Sequence, residues 1–201
     1  MSDTILGPGY HAVAPGKIVN AVTFLEMRAR PVSQARVTPE GLSVDRWHEP
    51  DPATYLELFR AVGADWLWAS RLEMGREVLA VHLREPGIEV YRLRRGETAL
   101  GLLELDFRAP GECEIAYFGL VPGAIGQGAG RFFMDQAIAR AWAKPISRFW
   151  LHTCNFDHPA ALAFYRRSGF TPYKMMADVM DDPRLTGLLP RDAAPHVPIY
   201  G

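Results

Sequence analysis

Residues 113–131 read CEIAYFGLVPGAIGQGAGR: an apolar stretch, a Pro-Gly corner, and a loop with glycine at Gly126, Gly128 and Gly130. This pattern predicts a strand, then a tight loop that opens a helix. Because glycine has no Cβ, the loop backbone can turn sharply and bring its N–H groups against a ligand. N–H groups at a helix start form an anion site, and phosphate is the usual ligand of such sites. We therefore expect a phosphate-binding loop here.

Periodic segments on both sides of the loop indicate a mixed sheet. Residues 88–93 and 98–107 are typical of strands, which form an antiparallel meander with the strand at residues 113–121. Apolar residues with helical spacing over 134–142 predict an amphipathic helix after the loop, followed by a strand at 146–153. Because a helix joins them, this strand and the strand at 113–121 should be parallel, with a right-handed crossover. Ligands bind at the carboxyl ends of such parallel strands.

The first part of the chain is predicted to add two strands and three helices. The strands cover residues 17–30 and 41–48, which are rich in β-branched and aromatic residues or alternate apolar with polar ones. The helices cover residues 52–62 with Asp51 as the N-cap, residues 64–72, and residues around 77–83.

The end of the chain is predicted to add one helix and one strand. The helix runs to Arg167, with Asp157 or His158 as its N-cap and Pro159 in its first turn. A strand at residues 171–179 follows. The segment 181–201 has little periodicity and is expected to be an arm that packs without regular structure.

The amino-acid composition limits the classes of protein to which this chain can belong. The chain has 201 residues, of which 48% are hydrophobic, enough for a packed core. Its 22 basic and 23 acidic residues nearly balance, so we expect no nucleic-acid partner. The sequence has no apolar run of the roughly 18 residues that a membrane span needs, and its start has no signal-like pattern. We therefore expect a cytoplasmic protein with no membrane partner, in which Cys113 and Cys154 are thiols.

Two familiar phosphate-binding loops do not fit the glycine pattern. A P-loop needs Gly-Lys-Ser/Thr, but Arg131 and Phe132 follow Gly130. A dinucleotide-binding loop needs the spacing GxGxxG and an acidic residue near the end of the next strand. The glycines here are spaced GxGxG, and the next strand ends in His152 and Thr153.

A third loop matches. The pattern Val121-Pro122-x-x-Ile125-Gly126-x-Gly128-x-Gly130, after a strand with the residues EIAY, resembles the pyrophosphate loop of the GNAT superfamily of acyl-CoA-dependent N-acetyltransferases. The segment HPAALAFYRRSGF, residues 158–170, resembles the last helix of that superfamily. Together the two motifs cover residues 113–173. The segments GADWLWASRL and FWLHTCNFDHPAALAFYRRSGF also resemble a bacterial subgroup with no assigned substrate.

The resemblance implies a fold and a cosubstrate. The fold is α/β (α+β), with a mixed, mostly antiparallel central sheet, a parallel strand pair splayed around the cofactor, and flanking helices. It comprises an N-terminal arm with an extra strand packed on the domain (1–45), the N-acetyltransferase domain (46–180) and a C-terminal arm of the same domain (181–201). The cosubstrate is acetyl-CoA, with no metal.

The resemblance also implies the cofactor contacts. Leu120 and Val121 pair with the pantetheine arm through their backbone, and residues 125–131 bind the pyrophosphate. The full implied set is Leu120, Val121, Ile125, Gly126, Gln127, Gly128, Ala129, Gly130, Arg131, His158, Ala161, Phe164 and Tyr165. Two of these depart from the family pattern: Ile125 replaces the usual Arg or Gln, and His158 replaces a frequent Asn. Gln127 and Arg131 are the residues that would compensate for Ile125.

The implied reaction is direct transfer of the acetyl group to a primary amine of a small molecule or peptide. Tyr165 occupies the position of the general acid and Glu114 a position that serves as base in some members. A core tyrosine and a structural strand glutamate are the alternatives. Tyr117 and His152 are lesser candidates, with His152 as a base that acts through water.

The residues leave alternatives open for the function, the acceptor and the oligomeric state. A non-catalytic acyl-CoA-binding or partner-binding domain with the same fold is the alternative function, because of Ile125 and His158. His152, Cys154, Asp157 and His158 do not have the spacing of a metal site. Neither the acceptor amine nor the choice between a monomer and a homodimer follows from the residues.

Overall fold

A computed structural model describes residues 5–32 and 39–201. Residues 1–4 and 33–38, which the predicted N-terminal arm includes, lie outside the described residues.

Seven strands form one sheet within the described ranges. They are β1 (Lys17–Met27), β2 (Leu42–Arg46), β3 (Ile88–Arg95), β4 (Thr98–Asp106), β5 (Glu112–Leu120), β6 (Arg148–Cys154) and β7 (Thr171–Asp181). Their order across the sheet is β2-β3-β4-β5-β6-β1-β7. Neighbouring strands are antiparallel, except β5 and β6, which are parallel. The mixed sheet with its parallel pair confirms the predicted fold class.

Five α-helices flank the sheet in the described ranges. They are α1 (Pro52–Gly63), α2 (Ser70–Glu73), α3 (Arg76–His82), α4 (Ala129–Ala141) and α5 (Ala161–Arg167). The predicted start of α1 is confirmed, because the Asp51 carboxylate accepts a hydrogen bond from the Thr54 N–H at 3.0 Å. The predicted crossover helix is α4, which joins the two parallel strands.

The sheet has a buried core on each face. Leu102 and Leu103 are consecutive residues of β4 and are both fully buried, so both faces of this strand are covered. Leu103 packs with Phe133 of α4 in one core cluster. Leu102 packs with Tyr55 and Phe59 of α1 in the other.

The predicted helix at residues 64–72 is wrong as a single element. A 3₁₀ turn at Ala64–Trp66 ends at Leu67, whose φ is 56°, and α2 begins only at Ser70. Leu67 packs with Phe156 and the C-terminal segment, whereas Trp68 packs with the cluster beneath α1. The two neighbouring side chains anchor to different cores, which accounts for the break in the helix.

The predicted N-cap of the last helix is also wrong. Helix α5 begins at Ala161, after Ala160 as its N-cap. Asp157 instead accepts hydrogen bonds from the Thr153 hydroxyl at 2.7 Å and the Cys154 N–H at 3.0 Å. These bonds close the turn after β6, so the Asp157 carboxylate is used before the helix begins.

Strand β1 lies inside the sheet. It pairs with β6 on one side and with β7 on the other, so this strand completes the sheet rather than adding to an edge. The C-terminal segment packs beside it, where Leu189, Ala194 and Val197 are buried with Ile18. The division at residues 45 and 180 stays a prediction.

Candidate active site

A slot opens between the two parallel strands. Pairing between β5 and β6 stops at Ile115 and Leu151, although β5 continues to Leu120 and β6 to Cys154. The register between β4 and β5 also shifts at this point, so that Ala116 has no partner on β4. An extra residue of this kind bends a strand. The carboxyl ends of β5 and β6 therefore diverge where the sequence predicted a ligand slot.

The backbone of β5 offers hydrogen-bonding groups to this slot. The Val121 N–H donates to the Leu100 carbonyl at 2.9 Å, and the Val121 carbonyl accepts from the Ala124 N–H at 2.9 Å. Because alternate residues of an antiparallel strand direct their polar groups to the same side, Phe118 and Leu120 direct theirs away from β4. The pantetheine contacts of Leu120 and Val121 stay predictions. The backbone groups of Leu120 and of Phe118, which the sequence prediction missed, face the slot, whereas those of Val121 are used by Leu100 and Ala124.

The glycine loop has the geometry of an anion site. Gly126 and Gly128 have φ values of 88° and 77°, and an added Cβ at either would meet no atom within 4 Å. Glycine is thus required by the backbone conformation and not by crowding. Gly128 is the N-cap of α4, and its carbonyl accepts the helical bond from Phe132. The N–H groups of residues 129–131 therefore precede the first helical hydrogen bond and suit a phosphate.

The side chains around the loop are partly committed to other contacts. Arg131 donates to the Arg167 carbonyl at 3.1 Å and approaches Asp135 at 3.3 Å, so it ties α4 to the end of α5. Gln127 donates to the Gly123 carbonyl at 3.2 Å and accepts from Arg95 at 3.4 Å. Arg95, at the end of β3, is a cation that the sequence prediction missed. The only signal for it was an Arg-Arg pair at a hairpin turn.

Helix α5 packs against the wall of the slot through aromatic residues. The Phe164 ring stacks on the Phe118 ring of β5 with centroids 5.8 Å apart. Ala161 is half-buried beside this core. His158 precedes the helix, accepts a hydrogen bond from the Ala160 N–H at 3.1 Å, and lies 5.4 Å from the Trp66 ring.

Tyr165 is buried at the wall of a cavity of about 480 Å³ that extends from the slot. Burial, together with the negative charge of Asp157, raises the pKa of its phenol above the ordinary value. Among the described residues, none forms a hydrogen bond with the Tyr165 hydroxyl. Tyr165 therefore keeps its proton at neutral pH and has a free hydroxyl to donate it.

Glu114 and His152 meet across the parallel pair. Glu114 Oε1 lies 3.5 Å from His152 Nδ1, and both side chains line the cavity with Tyr165. Tyr117, the other lesser candidate, contacts the Ser70 hydroxyl. Its pKa is raised, chiefly by burial. The structure thus brings Glu114, His152 and Tyr165 to one cavity and places Tyr117 in the wall.

The segment between α1 and α3 also lines the cavity, and the cavity lining as a whole is rich in acidic groups. Its lining includes the aromatic rings of Trp66 and Trp68. The acidic residues that line the cavity are Glu73, Asp106, Glu114, Asp157 and Asp178. Its two arginines are paired: Arg71 with Glu104 at 2.5 Å, and Arg108 with Asp106 at 2.6 Å. The unpaired charge is therefore negative and suits a cationic ligand.

A buried ion network supports this wall. Glu104 is fully buried and accepts from Arg71 at 2.5 Å, from the Tyr55 hydroxyl at 2.6 Å and from His82 at 3.0 Å. Burial opposes ionisation, but the bonds from His82 and Arg71 outweigh it and lower the pKa of Glu104 to about 2. Arg71 in turn lies over the Tyr117 ring at 4.9 Å. The sequence signal for this network was one glutamate in an apolar strand.

Residues 5–32 and 39–201 hold no group of three or more His, Cys, Asp or Glu that could bind a metal ion. None of the helices in these ranges has the length and apolarity that a bilayer crossing requires.

Residues 44–170 match the sequence model of the Acetyltransferase (GNAT) family. The chain belongs to this family. The matched range includes the slot, the glycine loop and α5, and it ends before β7. No curated protein sequence matches the chain significantly.

Solved GNAT structures share the fold. A GNAT-family protein from Novosphingobium aromaticivorans DSM 12444 is 20% identical, with a TM-score of 0.58 over 84% of this chain and 70% of that protein. A GCN5-related N-acetyltransferase from Kribbella flavida is 20% identical, with a TM-score of 0.56 over 86% of this chain and 63% of that protein. This chain thus spans less than two thirds of the K. flavida protein.

A solved acetyltransferase structure with a bound ligand is also similar. An aminoglycoside acetyltransferase from an uncultured soil metagenomic sample, in complex with sisomicin, is 18% identical to this chain. Its TM-score is 0.50 over 64% of this chain and 87% of that protein. At these identities the likeness shows the fold alone.

Proposed function

We propose that this GNAT-family protein transfers an acetyl group from acetyl-CoA directly to a primary amine of a small molecule or peptide. The observation that carries the proposal is the meeting of three groups at the open end of the β5–β6 slot. Tyr165 supplies a protonated phenol, and Glu114 with His152 supplies a basic pair. These are the two functions that acyl transfer to an amine requires.

Acetyl-CoA fits the slot from the glycine loop inward. The free N–H groups of residues 129–131 receive the pyrophosphate, because a helix N-terminus attracts anions. The backbone of Leu120 and Phe118 receives the pantetheine amides. This arrangement directs the thioester toward the point where β5 and β6 diverge, beside Tyr165.

The amine enters from the acid-lined cavity as an ammonium ion. Glu114 or His152 takes one of its protons, directly or through water, because a protonated amine has no lone pair for attack. The amine nitrogen then attacks the thioester carbonyl carbon, so that a C–N bond forms and the C–S bond breaks. The Tyr165 hydroxyl gives its proton to the departing sulfur. The nitrogen, which carries one excess proton after its attack, loses that proton to the Tyr165 phenolate, directly or through water. The products are an amide and the free thiol of CoA.

Replacement of the proposed acid tests this mechanism. We expect Tyr165→Phe to lower kcat for CoA release across an amine panel by about 100-fold, the effect typical of losing a general acid, with little change in the affinity for acetyl-CoA. Tyr173→Phe is the matched control, because Tyr173 is an exposed tyrosine of β7. Wild-type kcat in the Tyr165→Phe protein would eliminate Tyr165 as the acid.

A non-catalytic acyl-CoA-binding role is the alternative, favoured by the exposed Ile125, which provides no phosphate contact of its own. Both functions predict that acetyl-CoA at 100 times its Kd stabilises the protein by about 2.7 kcal/mol. Only the enzyme releases CoA when amine is added. Stabilisation without CoA release from any amine of the panel would establish the alternative.

A further inference from the structure

Asn20 of β1 is a buried polar residue at the far end of the same cavity. Its side chain lines the cavity and is only 4% exposed. The amide nitrogen donates to Asp178 Oδ2 of β7 at 3.1 Å. The oxygen, Oδ1, is buried and has no hydrogen-bond partner among the described residues. This orientation of the amide is required, because the reverse would set its oxygen against a carboxylate.

An unpaired buried acceptor is unusual in a folded protein. Most such atoms are paired, and an exception at the wall of a cavity points to a water, an ion or a ligand group as the partner. The partner of Asn20 Oδ1 must be a donor. Asp178 beside it is an exposed carboxylate with accepting capacity left. A donor that also carries positive charge would satisfy both residues, and an ammonium group has both properties.

The surrounding charges favour the same ligand. The cations that line the cavity, Arg71 and Arg108, are held by Glu104 and Asp106. Lys17 of the same strand is paired with Asp181 at 2.6 Å. The ring of Trp66 also lines the cavity and can bind a cation on its face.

The strand register gives the distance to the reaction centre. His152 of β6 lies opposite Phe24 of β1. Asn20 is four residues further along β1, which is roughly 13 Å at about 3.3 Å per residue. A ligand that reaches both points is elongated.

We infer that Asn20 and Asp178 form a second ammonium site, so that the acceptor is an elongated polyamine. One end of the polyamine reaches Glu114, His152 and Tyr165, while an ammonium group at the other end lies between Asn20 Oδ1 and Asp178. The polyamine is an acceptor only if the protein is an acetyltransferase, so the inference rests on the proposed function. The second ammonium site is tested by a binding measurement, which does not require turnover.

Calorimetric titration of the full chain with three probes tests the site. The probes are spermidine, which can span the cavity, diaminopropane, which has two ammonium groups but is short, and propylamine. Spermidine should bind the wild-type protein at least about tenfold more tightly than diaminopropane, the effect of one hydrogen bond to a charged group. Equal affinities for the two would overturn the inference.

Two variants and one control locate the effect. Asn20→Leu, a change of similar size, should bring the ratio of the two affinities close to one. Asp178→Asn should lower it as well, and because Asp178 is exposed, this variant tests the site even if Asn20→Leu does not fold. Val19→Thr, on the opposite face of β1, should keep the wild-type ratio. A wild-type affinity ratio in both site variants would overturn the inference and leave water as the partner of Asn20 Oδ1.

The same proteins separate this inference from the proposed function. CoA release from acetyl-CoA is measured with propylamine or spermidine as the acceptor. If kcat/KM is equal for the two amines in the wild type and in all variants, the acetyltransferase stands and the second site is overturned. Length-dependent binding that Asn20→Leu abolishes, without CoA release from any amine, would keep the site and overturn the acetyltransferase.

Discussion

At the scale of single residues, buried polar side chains among apolar neighbours are the positions that need a specific hydrogen-bond partner. Glu104 interrupts an apolar strand, and the structure surrounds it with Arg71, His82 and Tyr55. Asn20 interrupts an apolar face of β1 and leaves one acceptor unpaired. Each group lost its hydration on folding, so each needs a partner from the protein or from a ligand. Glu104 has its partners in the protein.

Glu104 should control the acid stability of the protein. Its pKa is lowered to about 2 in the folded state, below its value in the unfolded chain. It therefore stabilises the fold above the unfolded pKa, and this contribution is lost as pH falls toward 2. Glu104→Gln should destabilise the protein by about 3 kcal/mol at pH 7 and flatten the loss of stability between about pH 4.5 and 2.

Urea unfolding at several pH values measures this effect. Glu97→Gln is the control, because the Glu97 side chain is fully exposed in its pair with Arg94. A Glu104→Gln protein that loses stability with acid as steeply as the wild type would contradict the assignment.

At the scale of elements, the junction between β5 and α4 has the most demanding backbone. The strand bends at Ala116, a 3₁₀ turn at Pro122–Ala124 follows, and the loop passes through two glycines with positive φ before α4 begins. Gly130, by contrast, lies in the first turn of α4 without a positive φ. The backbone conformation therefore requires glycine at Gly126 and Gly128 but not at Gly130.

Alanine substitution should separate these glycines. Gly128→Ala should destabilise the protein by about 1 to 2 kcal/mol, the cost of a left-handed backbone for a residue with a Cβ. Gly130→Ala should stabilise it by up to about 1 kcal/mol, because alanine favours helix and its Cβ would meet only Leu120, at an ordinary 3.5 Å. Thermal unfolding of the two variants measures both changes in stability. Equal destabilisation by both would show that crowding, and not φ, selects glycine.

At the scale of the whole molecule, the C-terminal segment packs beside β1 and the cavity. The buried pair of Asp182 and Arg184 has an N–O distance of 2.7 Å, and both side chains are 1% exposed. Arg184 also donates to the carbonyls of Ala193, Ala194 and Val197. The segment that it organises packs on Leu67 and Phe156, which line the cavity beside Tyr165.

Arg184→Met should therefore loosen the C-terminal segment. We expect a loss of about 3 kcal/mol, because Asp182 would remain buried without its partner, and faster proteolysis after residue 182. Arg166→Met, an exposed arginine of α5, is the control. Limited proteolysis with mass spectrometry locates the cleavage sites, and wild-type protection of residues 183–201 would contradict the role of Arg184.

The sequence alone determined the elements whose signals are local. The Asp51 cap, the β5–α4–β6 unit and the glycine loop follow from neighbouring residues, because capping, periodicity and φ preference act within a few positions. Tertiary structure alone decided the insertion of β1 between β6 and β7, the break at Leu67, the late start of α5, and the approach of Arg95 and Asn20 to the site. Each depends on contacts between distant segments, where packing and charge pairing outweigh local preference.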